Sequence, residues 1–212
     1  MNEDSHERTT VTLAPTVSLS SNKVKPDLVI LKYMAQQLYI TLQQPDSADT
    51  TTKPLLYSLD DCHQRKQRIA LYQPQELLQA RHLSFVGFVS GRQHALSPDI
   101  VNEIERIDEL MVSELLDNSG IFSYSSLEVR PDRWYNLVVF HNAETKTHLK
   151  KSHTHAYAVY RLAPHFYEWI RLHNGFMPGG LAQQELLLQS TKYYTFQQGQ
   201  AHFNMHEITY GC

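Results

Sequence analysis

The chain has 212 residues, 42% of them apolar, and a formal net charge of -3 with histidine neutral. That length fits one ordinary domain with extensions, the apolar fraction is enough for a core, and the slightly acidic balance speaks against nucleic acid as a partner. No apolar run is long enough to span a bilayer, and the acidic start Met1-Asn2-Glu3-Asp4-Ser5-His6-Glu7 lacks the basic and apolar blocks of a secretory signal, so a cytoplasmic location without a membrane partner is expected.

Residues 1–25 are rich in Ser, Thr and charge and read as a flexible N-terminal arm. Residues 26–80 read as an extension or adaptor. Within it, residues 27–42 (DLVILKYMAQQLYITL) are apolar enough to order as a strand or a helix, residues 43–53 form a polar linker, and the run Arg65-Lys66-Gln67-Arg68 is expected to be a solvated face. Cys62 and Cys212 are the two cysteines, too few and too far apart for a disulfide framework or a metal knuckle.

The informative stretch is residues 81–196, with residues 197–212 left as a C-terminal tail. Residues 83–90 (LSFVGFVS) are short, apolar and rich in β-formers, which predicts a buried strand. Ser97 then caps a helix with Pro98 at its first position, and Ile100, Ile104, Ile107, Met111 and Leu115 recur at helical spacing until Asn118-Ser119-Gly120 ends it. Two β-rich runs follow, residues 121–129 and 134–140, and the turn Arg130-Pro131-Asp132-Arg133 makes them a hairpin. Residues 143–163 read as helical with a break near Ser152, stopped by Pro164. A strand over residues 165–172, turns at Asn174-Gly175 and Pro178-Gly179-Gly180, and a last strand over residues 192–196 complete the pattern. The order β-α-β-β-α-β, with one apolar stripe on each helix, predicts an α+β sandwich of two layers. A parallel doubly wound sheet is excluded because the turn at 130–133 is too short for a crossover.

This order, the hairpin ending in Trp134-Tyr135-Asn136-Leu137-Val138-Val139-Phe140 and the helix bearing Ser152-His153-Thr154-His155 resemble the dimeric α+β-barrel superfamily. That superfamily includes antibiotic-biosynthesis monooxygenases, stress-responsive barrel proteins and small polyketide cyclases. The stretch from Trp134 to Gly180, with YAVYRLAPHFYEWIRLHNGFMPGG inside it, is also similar to uncharacterised cyanobacterial proteins. The resemblance implies a ferredoxin-like unit with a pocket between sheet and helices, and a homodimer whose two sheets complete a barrel. The eighty N-terminal residues have no counterpart in the small members, and they are the segment that could cover the sheet instead.

Candidate site residues come from the helix and the strands. His148, Ser152 and His155 lie at i, i+4 and i+7, one stripe able to face a cavity. His155 is the chosen acid/base, since imidazole takes and returns a proton near working pH. Trp134 and Asn136 share one strand face and would line the cavity, with Tyr124 adding a phenolic hydroxyl. Arg171 and His173 share a strand face too, a carboxylate or phosphate clamp. His153 and His155 diverge on a helix, so no dedicated metal site is expected.

By resemblance, the expected activity is cofactor-independent oxygenase or cyclase chemistry on an aromatic or polyketide-like substrate, with His155, Asn136 and Tyr124 catalytic and Trp134, His148, Ser152, Arg171 and His173 binding. No cofactor is expected for that activity. The alternative is a non-catalytic protein holding haem, a pigment or another hydrophobic ligand, with His155 as the haem ligand.

Overall fold

The computed structural model describes residues 21–44, 54–60, 65–149, 152–197 and 203–211. Cys62, Cys212 and the first twenty residues of the expected arm lie outside them. A long helix, α1 (Ser21–Leu42), is followed by strands β1 (Leu55–Asp60) and β2 (Lys66–Leu71) and the short helix α2 (Pro74–Gln79). Then come β3 (His82–Arg92), α3 (Pro98–Glu114), β4 (Ile121–Arg130) and β5 (Arg133–Phe140). A broken helical segment follows, made of α4 (Thr145–Leu149), α5 (His153–Tyr157) and α6 (Ala163–Phe166), and the chain ends in β6 (Tyr167–Pro178), β7 (Leu187–Phe196) and β8 (Phe203–Thr209). All eight strands form one antiparallel sheet in the order β1-β2-β4-β5-β3-β6-β7-β8, which does not close into a barrel. The expected α+β class is observed.

The central elements follow their local chemistry. The Ser97 hydroxyl accepts the Ile100 N–H at 3.4 Å and Pro98 opens α3, where its missing N–H costs nothing. Strands β4 and β5 pair across the turn at Pro131-Asp132. Three expectations need correction. Asn174-Gly175 is not a turn but the middle of β6, where the ladder to β7 shifts register. Glycine is required there because a Cβ would sit 2.2 Å from the Leu187 carbonyl oxygen and against the Phe85 ring. Pro164 does not stop the helix either. A π-helical turn over Ala158–Leu162, closed by the Ala163 N–H donating to the Ala158 carbonyl, lets the chain pass it and continue through α6. The stretch 197–212, expected as a tail, contains β8, paired to β7 along its length.

The larger departure is the part played by residues 21–71. Helix α1 lies across one face of the sheet, with Leu31, Met34, Ala35 and Leu38 fully buried at i, i+3, i+4 and i+7 against Ile69, Phe85, Leu127, Leu137 and Val139. The segment expected to be an adaptor thus supplies the main core and two strands of the sheet. The basic run divides between faces: Gln67 is buried and donates to the Met34 carbonyl at 3.5 Å, while Arg68 points to the other side and pairs with Asp108.

A buried charge fixes where α1 sits. Asp27, 1% exposed, receives two hydrogen bonds from Arg171, Nε to Oδ2 at 2.6 Å and Nη2 to Oδ1 at 2.8 Å. Tyr135 donates its hydroxyl to Oδ1 at 3.1 Å, and His173 Nε2 lies 3.0 Å from Oδ2 while its Nδ1 meets the Thr191 hydroxyl at 2.9 Å. A carboxylate only accepts, so the Nε2 of His173 carries a proton. Burial by itself pushes the Asp27 carboxyl up, but the hydrogen bonds and charges of His173 and Arg171 outweigh it and hold the group below its usual 3.8.

Asp27→Ala leaves a guanidinium and an imidazole buried without their partner, and should cost ~3–5 kcal/mol in urea unfolding. The sign with pH follows from the depressed folded value: stability from Asp27 is present above 3.8 and lost as pH falls through the lower folded value. The wild-type urea midpoint should therefore drop with acid below about pH 4, and the variant should show less of that drop. Equal acid slopes in the two proteins would remove Asp27 as its source.

Candidate functional site

The sheet face opposite α1 carries the second feature of the molecule. Along β3, β5 and β6 burial alternates residue by residue: side chains toward α1 are buried, while Val86, Phe88, Trp134, Asn136, Val138, Leu172 and Asn174 on the other face are half-buried. Central strands of an eight-stranded sheet normally lose both faces to packing when helices cover them. Here the helices stand apart. On one side α3 is tied to β2 and β4, where the Tyr72 hydroxyl donates to the Val112 carbonyl at 2.8 Å and Arg68 pairs with Asp108. On the other, Ala163 of α6 packs with Ile170 and Phe196, joined by Phe88, Tyr167 and Tyr194. Between them lies a cleft of about 2230 Å³ whose floor is the half-buried stripe.

The cleft wall from residues 145–166 is held by capping rather than by length. The Ser152 hydroxyl accepts the His155 N–H at 3.1 Å and donates its own proton to Glu114 at 2.8 Å. Thr154 donates to the other oxygen of Glu114. The last residue of α3 therefore grips the first turn of α5, and this grip sets His155, half-buried, on the cleft wall.

Tyr124 reaches the cleft from β4, 4% exposed, and donates its hydroxyl to Asp108 Oδ1 at 2.7 Å while Arg68 holds Oδ2. Burial, then the neighbouring Asp108 carboxylate, push the Tyr124 phenol well above its usual 10.0. Its proton is committed to Asp108, so it positions that carboxylate and is a poor proton source for a substrate. Tyr167 at the cleft edge is likewise pushed up by burial.

Five of the eight residues expected at a site line this one cleft: Tyr124, Trp134, Asn136, Ser152 and His155. Ser152 does so as a helix cap. The side chain of His148 lies outside the described residues. Arg171 and His173 are not brought to the cleft; they share a face as expected, but it is the α1 face, and the carboxylate they clamp is the protein's own Asp27. Sequence reasoning passed over Asp108, Arg68 and Glu114. Asp108 and Glu114 sit on the polar side of α3 and Arg68 in a basic run, and nothing local distinguishes a solvated charge from one paired across forty residues. Among the described residues no group of three His, Cys, Asp or Glu side chains is arranged to hold a metal ion.

If the Tyr124 proton is bound as described, ultraviolet titration should show the same number of tyrosines ionising below pH 10.0 in wild type and in Tyr124→Phe. One fewer in the variant would place Tyr124 among the ordinary phenols. The same substitution should cost about 1.5–3 kcal/mol, the worth of a hydrogen bond to a charged acceptor.

No family model, no curated protein and no solved structure matches the chain.

Proposed function

We propose that the protein binds a large, predominantly apolar, ring-bearing molecule in the cleft and moves a proton on it, with His155 as the acid/base. The observation that carries this reading is the half-buried stripe of Val86, Phe88, Trp134, Asn136, Val138, Leu172 and Asn174 on the central strands, apolar except for two amides, of which Asn174 is engaged by Lys146 and Ser190. Apolar side chains left open in the middle of a sheet cost hydrophobic stabilisation that a ligand would restore. A flat ring fits against Trp134 and Phe88. The Asn136 amide then supplies the oriented polar contact, its N–H donating to a carbonyl oxygen of the ligand.

The chemistry that suits these groups is enolisation. His155 takes a proton from the carbon beside that carbonyl, the electrons move onto the oxygen held by Asn136, and attack of the enolate carbon on a second carbonyl closes a ring. The alkoxide formed recovers the proton from the imidazolium. This is the cyclase form of the resemblance drawn from the sequence, and the fold supports it: β3, β4, β5 and β6 stand in the order β4-β5-β3-β6, with α3 after β3 and residues 145–166 after β5, the arrangement of a ferredoxin-like unit. The paired sheets of a barrel dimer would meet on the face that α1 covers here, so the reading rests on a single chain.

A carrier reading is favoured by size. At about 2230 Å³ the open cleft exceeds the ~300–1,000 Å³ usual for small-molecule sites and has room for a tetrapyrrole or similar pigment. In that case His155 would hold the iron of a haem, which would supply the visible absorption.

Three measurements separate these outcomes. Mass spectrometry on solvent extracts of the purified protein should return a hydrophobic ring compound. His155→Ala should lower cyclisation of a linear polyketide analogue by ~10²–10⁴-fold while leaving the affinity for a fluorescent apolar dye within about twofold. Undiminished cyclisation would remove His155 from the chemistry, and a visible absorption band in the protein as purified would turn the assignment to the carrier, a haem if the band is lost in His155→Ala.

A further inference from the structure

A second, smaller pocket of about 220 Å³ opens on the other face of the sheet, beside the start of α1, lined by Lys23, Pro26, Asp27, Arg133, Tyr135, Trp169 and Arg171. Strand register builds it. Gly91 of β3 stands opposite Arg133 on one side and Trp169 on the other, and in the next row on this face Val89 stands between Tyr135 and Arg171. With no side chain at 91, the Trp169 ring packs closely against the glycine, where a Cβ would come within 2.4 Å of it. Both guanidinium groups then stack on that ring, Arg171 at 4.1 Å and Arg133 at 5.1 Å from its centre.

The charges in this pocket do not balance. Its one carboxylate, Asp27, is taken: Arg171 grips it with two nitrogens, and Tyr135 and His173 complete its contacts. Among the described residues Arg133 has no such partner. Its Nε is buried with no hydrogen-bond acceptor, and among the described residues no carboxylate lies within ion-pair distance of Arg133 or of Lys23. A buried N–H on a cation is expensive to leave unmet. Lys23, exposed on the first turns of α1, adds a further positive charge at the mouth.

We propose that this pocket is a binding site for a small oxyanion, a carboxylate or a phosphate group, received by the Arg133 guanidinium and Lys23 beside Trp169. Arginine suits both anions because its planar fork donates two parallel hydrogen bonds to either. At about 220 Å³, the pocket holds several times the ~30 Å³ that one water occupies, room for a phosphate or a short carboxylic acid. The site is separate from the cleft, being on the opposite face of the sheet, and does not depend on what the cleft binds.

Trp169 reports on the site directly. It is one of two tryptophans in the chain, so Trp134→Phe leaves it as the sole indole. In that background, inorganic phosphate and succinate are each titrated while tryptophan fluorescence is read, with sodium chloride at matched ionic strength as the control. A saturable change with phosphate alone identifies a phosphate site, with succinate alone a carboxylate site, and with both a general oxyanion site. Adding Arg133→Gln should weaken the binding by about tenfold or more, and Arg133→Lys, which keeps the charge and loses the fork, by less. No saturable change with either anion overturns the proposal, as does an equal change with chloride or an affinity unaltered by Arg133→Gln.

Discussion

A carboxylate from the first turns of α1 is buried under the sheet's own cations, and the rest of the architecture is arranged around that contact. Asp27 with its four donors from Arg171, Tyr135 and His173 joins residues more than a hundred positions apart. Such a group does little for net stability compared with an apolar replacement, because desolvating two charges consumes most of their attraction. What it does is exclude alternatives. A helix with Leu31, Met34, Ala35 and Leu38 on one side could slide along an apolar sheet at small cost, but moving it by one turn would strand Arg171 and His173 in the interior. The buried charge sets the register of α1 and the apolar stripe supplies the energy.

With that face closed, the opposite face is free to stay open. The helices there are anchored at the flanks, α3 over β2 and β4 and α6 over β6 and β7, so among the described residues the middle of the sheet has a floor and two walls and nothing across them. The cleft is therefore a consequence of where the helices are tied. Its polar groups are placed by the same ties. Glu114 both closes α3 and holds Ser152 and Thr154, and Asp108 both binds Arg68 across to β2 and fixes the Tyr124 hydroxyl. Ser152 and Tyr124 are thereby taken up in holding the walls together, the one as a helix cap and the other as the donor to Asp108.

What could be read from the sequence was what depends on neighbours along the chain. The Ser97-Pro98 start of α3, the hairpin at Pro131-Asp132 and the division of residues 134–140 between two faces are local, and all are present in the structure. Residues 27–42 stayed ambiguous because apolar side chains fall on every side of α1, Val29 being 65% exposed and Ile40 41%, and they blur the helical period. Asn174-Gly175 has turn chemistry, yet its glycine answers a close approach by the neighbouring strand, which only pairing reveals. Arg171 and His173 share one strand face, which alternation along a strand dictates. That their anion is Asp27, 144 and 146 residues away, is a tertiary fact with no local trace.

The two faces meet in the strands that separate them. Arg133 of the anion pocket precedes Trp134 of the cleft, and Arg171 of the Asp27 contact precedes Leu172 of the cleft floor. Adjacent residues on a strand point to opposite sides, so the pocket and the cleft lie back to back through a single thickness of backbone. That backbone is not free to respond to one side alone, because β5 and β6 are each paired on both edges, β5 with β4 and β3, β6 with β3 and β7. An exchange of side chain on one face leaves the ladder and the other face in place unless it unseats α1. Proximity therefore couples the sites only through stability: what loosens the Asp27 contact loosens the floor of the cleft, whereas filling the anion pocket, which lies against that contact, steadies it.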